Sequence, residues 1–71
     1  MFQEHSPVAL ASPLPGFGLQ AGDIGVVVHI HANGAAYEVE WMTPNGRTIG
    51  IHMLAAEQLR AVVHADARTA P

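Results

Sequence analysis

Histidine and carboxylate are the chemistry this chain offers. It carries five histidines, six aspartates and glutamates, three arginines and no cysteine. Without a thiol there is neither a disulfide nor a thiolate ligand, so a metal site has to be built from imidazole and carboxylate. The residues that could build one are His29, Glu38 and His52. Placed opposite one another on three adjacent strands, their Cβ atoms would lie about 5 Å apart. Two imidazoles and a carboxylate could then hold Zn²⁺ with one position open. No sequential metal motif supports this row. The preferred reading is therefore plainer: a polar outer face on which a carboxylate bridges two histidines, with no cofactor. His31 points the same way but lies at a turn, where solvation is expected. Glu38 and Glu40 alternate on that face, yet no apolar pocket adjoins them to raise a pKa, so acid-pair chemistry is set aside. Asp23 follows Gly22 and reads as a turn residue that satisfies backbone N–H groups. Ser6, Ser12 and the histidines show no nucleophile signature.

The elements that must position these groups centre on residues 22–51. Three apolar runs with strand chemistry are joined by two turns, each containing Asn-Gly (Asn33-Gly34 and Asn45-Gly46). Asn-Gly favours a type I′ hairpin, whose two central residues need positive φ. A two-residue first turn sets Ile30 opposite Tyr37, Val28 opposite Val39 and Val26 opposite Trp41. His29 then meets Glu38, and Val27 meets Glu40. For the second turn a three-residue loop, Pro44-Asn45-Gly46, with Gly46 in a G1 bulge, keeps apolar with apolar. It sets Trp41 opposite Ile49, Val39 opposite Ile51, Glu40 opposite Gly50 and Glu38 opposite His52. A two-residue turn would instead set Trp41 opposite Gly50 and Val39 opposite His52, which mixes the faces.

Around this meander, residues 7–10 read as a short first strand and residues 1–5 as a polar, frayed lead-in. Residues 11–21 form a long loop pinned by Pro13 and Pro15, with Leu14, Phe17 and Leu19 as apolar anchors. The meander strands span 24–31, 36–42 and 48–53. A single helical turn within 54–59 precedes a last strand at 59–63. This order predicts an all-β fold, a small SH3-like barrel of five short antiparallel strands with one 3₁₀ or α turn before the last strand. One domain over 1–63 and a flexible tail over 64–71 are expected. The predicted core is Val8, Leu10, Leu19, Ile24, Val26, Val28, Ile30, Tyr37, Val39, Trp41, Ile49, Ile51, Leu54 and Leu59. Gly25 and Gly50 fall on the outer face, where barrel curvature accounts for them.

Charged residues make up only 13% and hydrophobic residues 49% of the chain, so a barrel this small must leave apolar groups outside. Self-association follows, a dimer foremost. The formal charge is −3, lysine is absent, and the basic side chains are Arg47, Arg60 and Arg68. That balance lacks the footprint of a nucleic-acid binder. No run is long enough to span a bilayer and no signal peptide is legible, so a cytoplasmic location is expected.

Several motifs together resemble the bacterial family catalogued as domain of unknown function 4926. They are Leu14-Pro15, Gly18-Leu19, Ala21-Gly22-Asp23-Ile24-Gly25, Tyr37-Glu38-Val39-Glu40-Trp41, Gly46-Arg47-Thr48 and Leu59-Arg60. The resemblance implies a small bacterial barrel and no assigned activity; His52 departs from the aliphatic or small residue usual there. Residues 48–56 are also similar to a Ser-Val-Gln-Ile-Tyr-Pro-Val-Ala-Ala stretch of the type II dihydrofolate reductases, tetramers of SH3-like barrels. In that family the Gln and Tyr contact cofactor and folate, and Gly50 and His52 stand in their places here. The ligand-binding amide is thus missing.

The functional expectation is a non-enzymatic barrel that binds protein, either itself or a protein encoded by a neighbouring gene. Its interaction surface is expected at Phe17, Val27, Gly50 and His52. The alternative is an oligomer with a small-molecule or metal site at a subunit interface, an enzyme of the type II reductase kind included.

Overall fold

A computed structural model describes residues 1–42, 45 and 47–62. Five strands form one antiparallel sheet: β1 (Pro7–Leu10), β2 (Ile24–His31), β3 (Ala36–Met42), β4 (Thr48–Ala55) and β5 (Leu59–Ala61). The spatial order is β4-β3-β2-β1-β5, the order of an SH3-like barrel. A 3₁₀ turn, Ala56–Gln58, precedes β5, and the Gln58 side-chain oxygen accepts the Ala55 backbone N–H at its start. The all-β architecture follows the sequence reading closely. Residues 63–71 and the residues Thr43, Pro44 and Gly46 lie outside the described residues, so the expected tail and the G1-bulge conformation of Gly46 do too.

The first hairpin keeps its predicted pairing only near the turn. Ile30 lies opposite Tyr37 and His29 opposite Glu38, as the two-residue count requires. The connection itself is wider, with φ positive at Ala32, Asn33 and Gly34. Beyond His29 the register slips by one at Val28, so that Val27 meets Val39, Val26 meets Glu40 and Gly25 meets Trp41. An extra residue in one strand inverts every side chain beyond it. Val27 therefore enters the core in place of Val28, while Ile24 faces outward and is 46% exposed. The run Val26-Val27-Val28 has no apolar–polar alternation, so nothing local marks where the phase changes.

The second hairpin is also shifted. Met42 lies opposite Thr48, but past a further irregularity Trp41 meets Gly50, Val39 meets His52, Glu40 meets Ile51 and Glu38 meets Met53. This is the face-mixing register that apolar matching argues against. Its physical reason is Trp41, which is fully buried. The indole sits mid-sheet with a glycine opposite it on each flanking strand, Gly25 on β2 and Gly50 on β4. A Cβ on Gly25 would lie 2.6 Å from Val39 Cγ1, 2.7 Å from Trp41 Cε3 and 2.9 Å from the Glu40 carbonyl oxygen. Both glycines thus face the core side rather than the outside; Gly25 makes room for the indole, while a Cβ on Gly50 would meet the His52 ring.

The buried core is Val8, Ala9, Leu10, Leu19, Val27, Tyr37, Val39, Trp41, Leu54 and Leu59. Ile30 packs against it partly buried. The predicted core members Ile49 and Ile51 are exposed, and Val26 and Val28 are only half-buried. The long loop carries a 3₁₀ turn, Pro15–Phe17, closed by a Leu14–Leu19 bridge with Gly18 left-handed behind it. The N-terminal lead-in is tied down rather than frayed. Phe2 packs edge-on against Tyr37 and its N–H donates to the Tyr37 hydroxyl at 3.1 Å. The His5 N–H donates to Val27 O and the Val27 N–H to Ser6 O, so residues 5 and 6 flank the bulge with their own hydrogen bonds.

Candidate functional site

The register decides which chemical groups share a surface. On β4, Gly50, His52 and Leu54 point with Tyr37, Val39 and Trp41 toward the core side, while Ile51 and Met53 point outward with Glu38 and Glu40, as does Thr48 beyond the irregularity. His52 thus lies on the opposite face of the sheet from His29 and Glu38. The three-strand metal row His29–Glu38–His52 is not formed. Among the described residues no three histidine or carboxylate side chains converge to hold a metal ion.

Glu38 takes other company. Its Oε2 lies 2.6 Å from His31 Nε2, and His31 meets His29 edge-on at 4.6 Å between ring centres. His29 Nδ1 is 3.9 Å from Glu4 Oε2 on the tied-down N-terminal segment. Glu4, His29, His31 and Glu38 therefore form a chain of polar contacts on the outer face. All four are at least a third exposed, and exposed pairs of this kind add at most about 1 kcal/mol each. Sequence reasoning placed His31 on this face but expected it to be solvated at the turn, not paired with Glu38. The wider connection holds His31 on the strand, opposite Ala36. Glu40 on the same face accepts a 3.0 Å hydrogen bond from the Thr48 hydroxyl.

The expected interaction surface is brought together in part. Phe17 of the long loop stacks flat on the His52 ring, 3.8 Å between centres and 5° between planes. The His52 ring in turn lies over Gly50, 3.3 Å from where a Cβ would be. Phe17, His52 and Gly50 thus form one contiguous patch that joins the long loop to β4. Val27 does not belong to it, being fully buried against Val39. Phe17 is held by the 3₁₀ turn that Pro15 starts, and His52 by its pairing with Val39. The Gly50 and His52 positions that stand for the ligand contacts of the reductase stretch are thus engaged within the chain.

Sequence reasoning also missed the row that faces solvent. Ile49, Ile51 and Met53 project from the outer side of β4 at 43%, 53% and 60% exposure. Such strict alternation of apolar residues on a strand ordinarily marks the side turned to the core. Here it is turned to water, because the glycines opposite Trp41 take the inner positions. β4 is also a sheet edge: among the described residues its one neighbour is β3. No helix among these residues is long and apolar enough to cross a membrane.

No curated protein and no solved structure matches the chain. The pattern of one family does, over residues 4–61, from the tied-down N-terminal segment to the end of β5. On that match, which covers most of its length, the chain belongs to the family described as domain of unknown function DUF4926.

Proposed function

We propose that this barrel is a binding module for protein, itself included, and that its recognition surface is the outer side of β4. The observation that carries the reading is the apolar row Ile49, Ile51 and Met53 turned to solvent on an edge strand. Burying such side chains is worth about 25 cal/mol per Å² removed from water, and no neighbour among the described residues collects that gain. An apolar strip on an edge strand pairs readily with another chain. The low charge content supports the same reading, and the lack of lysine fits a protein partner better than a nucleic acid. A cytoplasmic site of action belongs to the proposal, since a cysteine-free chain is at ease in a reducing compartment.

The test is photo-crosslinking in the cells that make the protein. A photoreactive amino acid at position 53 should give a discrete adduct of higher mass. The same probe at position 57, exposed but off the strand, should give none. No adduct at 53, or equal labelling at both positions, would refute the surface.

A further inference from the structure

From the geometry of β4 we infer that its partner is a second copy of this chain, paired antiparallel along the edge that is open among the described residues. This rests on the reading of the outer β4 row as a binding surface and adds the occupant and the register.

The backbone supplies the first argument. The Ala56 N–H donates to Ala35 O at 3.1 Å, one step beyond the Ala36–Ala55 pair. Antiparallel pairs alternate between those that exchange hydrogen bonds and those that do not. Counting from that bond, the exchanging pairs are Tyr37–Leu54, Val39–His52 and Trp41–Gly50. The N–H and C=O groups of Ile51, Met53 and Ala55 are then directed away from β3, to the free edge. The residues whose main chain is available are thus the residues whose apolar side chains face out.

The second argument is self-complementarity. A two-fold axis places like beside like, so only an uncharged strip meets its own copy without repulsion. The chain has a formal charge of −3, yet residues 48–55 contain no Asp, Glu, Lys or Arg. Of the devices that normally protect an edge strand, an inward charge, a lysine and a proline are absent from this stretch, and its one irregularity, at Ile49, leaves residues 50–55 in regular pairing. The other edge strand, β5, is only three residues long and offers far less.

The third argument narrows the register, and the axis at His52 is the one that sets the two most exposed apolar residues of the strand, Ile51 and Met53, against each other. Out-turned groups must meet out-turned groups, so odd residues pair with odd residues. With the axis at His52, Ile51 lies opposite Met53 of the second copy and Met53 opposite its Ile51. Both pairs exchange hydrogen bonds, and the apolar row continues across the junction on one face. The footprint also sets the strength. At about 3.4 Å per residue, eight residues give an edge about 27 Å long, and a sheet is about 10 Å thick. The resulting few hundred Å² per copy is below the roughly 800 Å² of a standard stable interface, so the dimer dissociates readily.

Sedimentation equilibrium from micromolar to near-millimolar concentration tests this. The mass should rise from one chain's 7.5 kDa toward twice that value. Ile51→Lys should stay at the single-chain mass while its thermal melt remains cooperative. Ile24→Lys alters an exposed apolar residue of β2, away from the edge, and should associate like the wild type. In an equal mixture of Ile51→Cys and Met53→Cys chains, the mixed disulfide should outgrow both homodisulfides. A wild type that stays at 7.5 kDa throughout would overturn the second copy. If the position-53 probe still captured a different protein, the binding-module reading would stand without it. Equal disruption by Ile24→Lys would indicate face-to-face packing and overturn the edge geometry. Preferred homodisulfides would overturn the register.

Discussion

Replacing Gly25 by alanine adds one methyl group and should strongly destabilise the protein. The methyl carbon would lie within 3.0 Å of three atoms: Val39 Cγ1, Trp41 Cε3 and the Glu40 carbonyl oxygen. A flexible side-chain end can move aside, but the carbonyl belongs to the β3 backbone and the indole is wholly enclosed. Overpacking a core costs about 1–3 kcal/mol, and two immovable contacts place this substitution at the top of that range, about 3 kcal/mol. At roughly 0.05–0.15 kcal/mol per residue, a chain of 71 residues has about 4–10 kcal/mol of stability in all. In a domain of this size each kcal/mol moves the melting temperature by about 4–8 °C, so the expected fall is about 12–24 °C. Trp41 is the single tryptophan, so its fluorescence reports on the site of the change as the protein melts. Gly50→Ala is the matched control. Its methyl would meet only the His52 ring, at 3.3 Å, and that ring can shift outward; a loss of no more than about 1 kcal/mol is expected. Gly25→Ala combined with Trp41→Phe should cost less than the sum of the two, because one of the three contacts is relieved. A Gly25→Ala melt within a few degrees of wild type, or a larger loss at Gly50, would refute the packing of the indole against Gly25.

Trp41→Ala should cost about 3–5 kcal/mol and leave little folded protein by circular dichroism at 25 °C, since the ring is the largest fully buried side chain. Ala32 has φ of +51°, a conformation that strains any residue with a Cβ, so Ala32→Gly should leave urea stability unchanged or raise it by up to about 1 kcal/mol. Tyr37→Phe removes the acceptor of the Phe2 N–H and should cost about 1 kcal/mol, with faster hydrogen exchange at the His5 amide as the local readout. Glu38→Gln weakens a partly exposed contact with His31 and should change chemical-denaturation stability by less than about 1 kcal/mol.

Much of the fold is legible in the chain because its signals are local. Asn33-Gly34 marks a reversal, with positive φ at both residues. Pro13, Pro15, Gly16 and Gly18 mark the long loop, and apolar runs bounded by such turns give strands β1 to β4 within two residues. The helical turn before β5 follows from six residues too few for a helix. The Phe17, Gly50 and His52 patch is legible as a set of residues that would meet, though not with the face it occupies.

The tertiary structure decided the phase of β4 and of β2 beyond Val28, while β3 keeps the predicted one with Tyr37, Val39 and Trp41 inward. Alternation shows that two sides of a strand differ, but not which of them faces inward. A single extra residue reverses the answer for everything beyond it. At Val26-Val27-Val28 three identical residues leave the bulge unmarked. At Ile49-Gly50-Ile51-His52-Met53 the alternation is clear, and burying its apolar side is the wrong choice. The reason lies around Trp41: with Trp41 and Tyr37 filling the interior of so small a barrel, Gly25 admits no Cβ beside the indole, and Gly50 takes the inner position of β4 opposite it. That competition joins residues 16 positions apart on β2 and β3 and nine apart on β3 and β4. It separates His52 from His29 and Glu38, buries Val27, and turns Ile49, Ile51 and Met53 to the solvent. None of these outcomes can be read from a local window, because each depends on the shape of a side chain brought in from another strand.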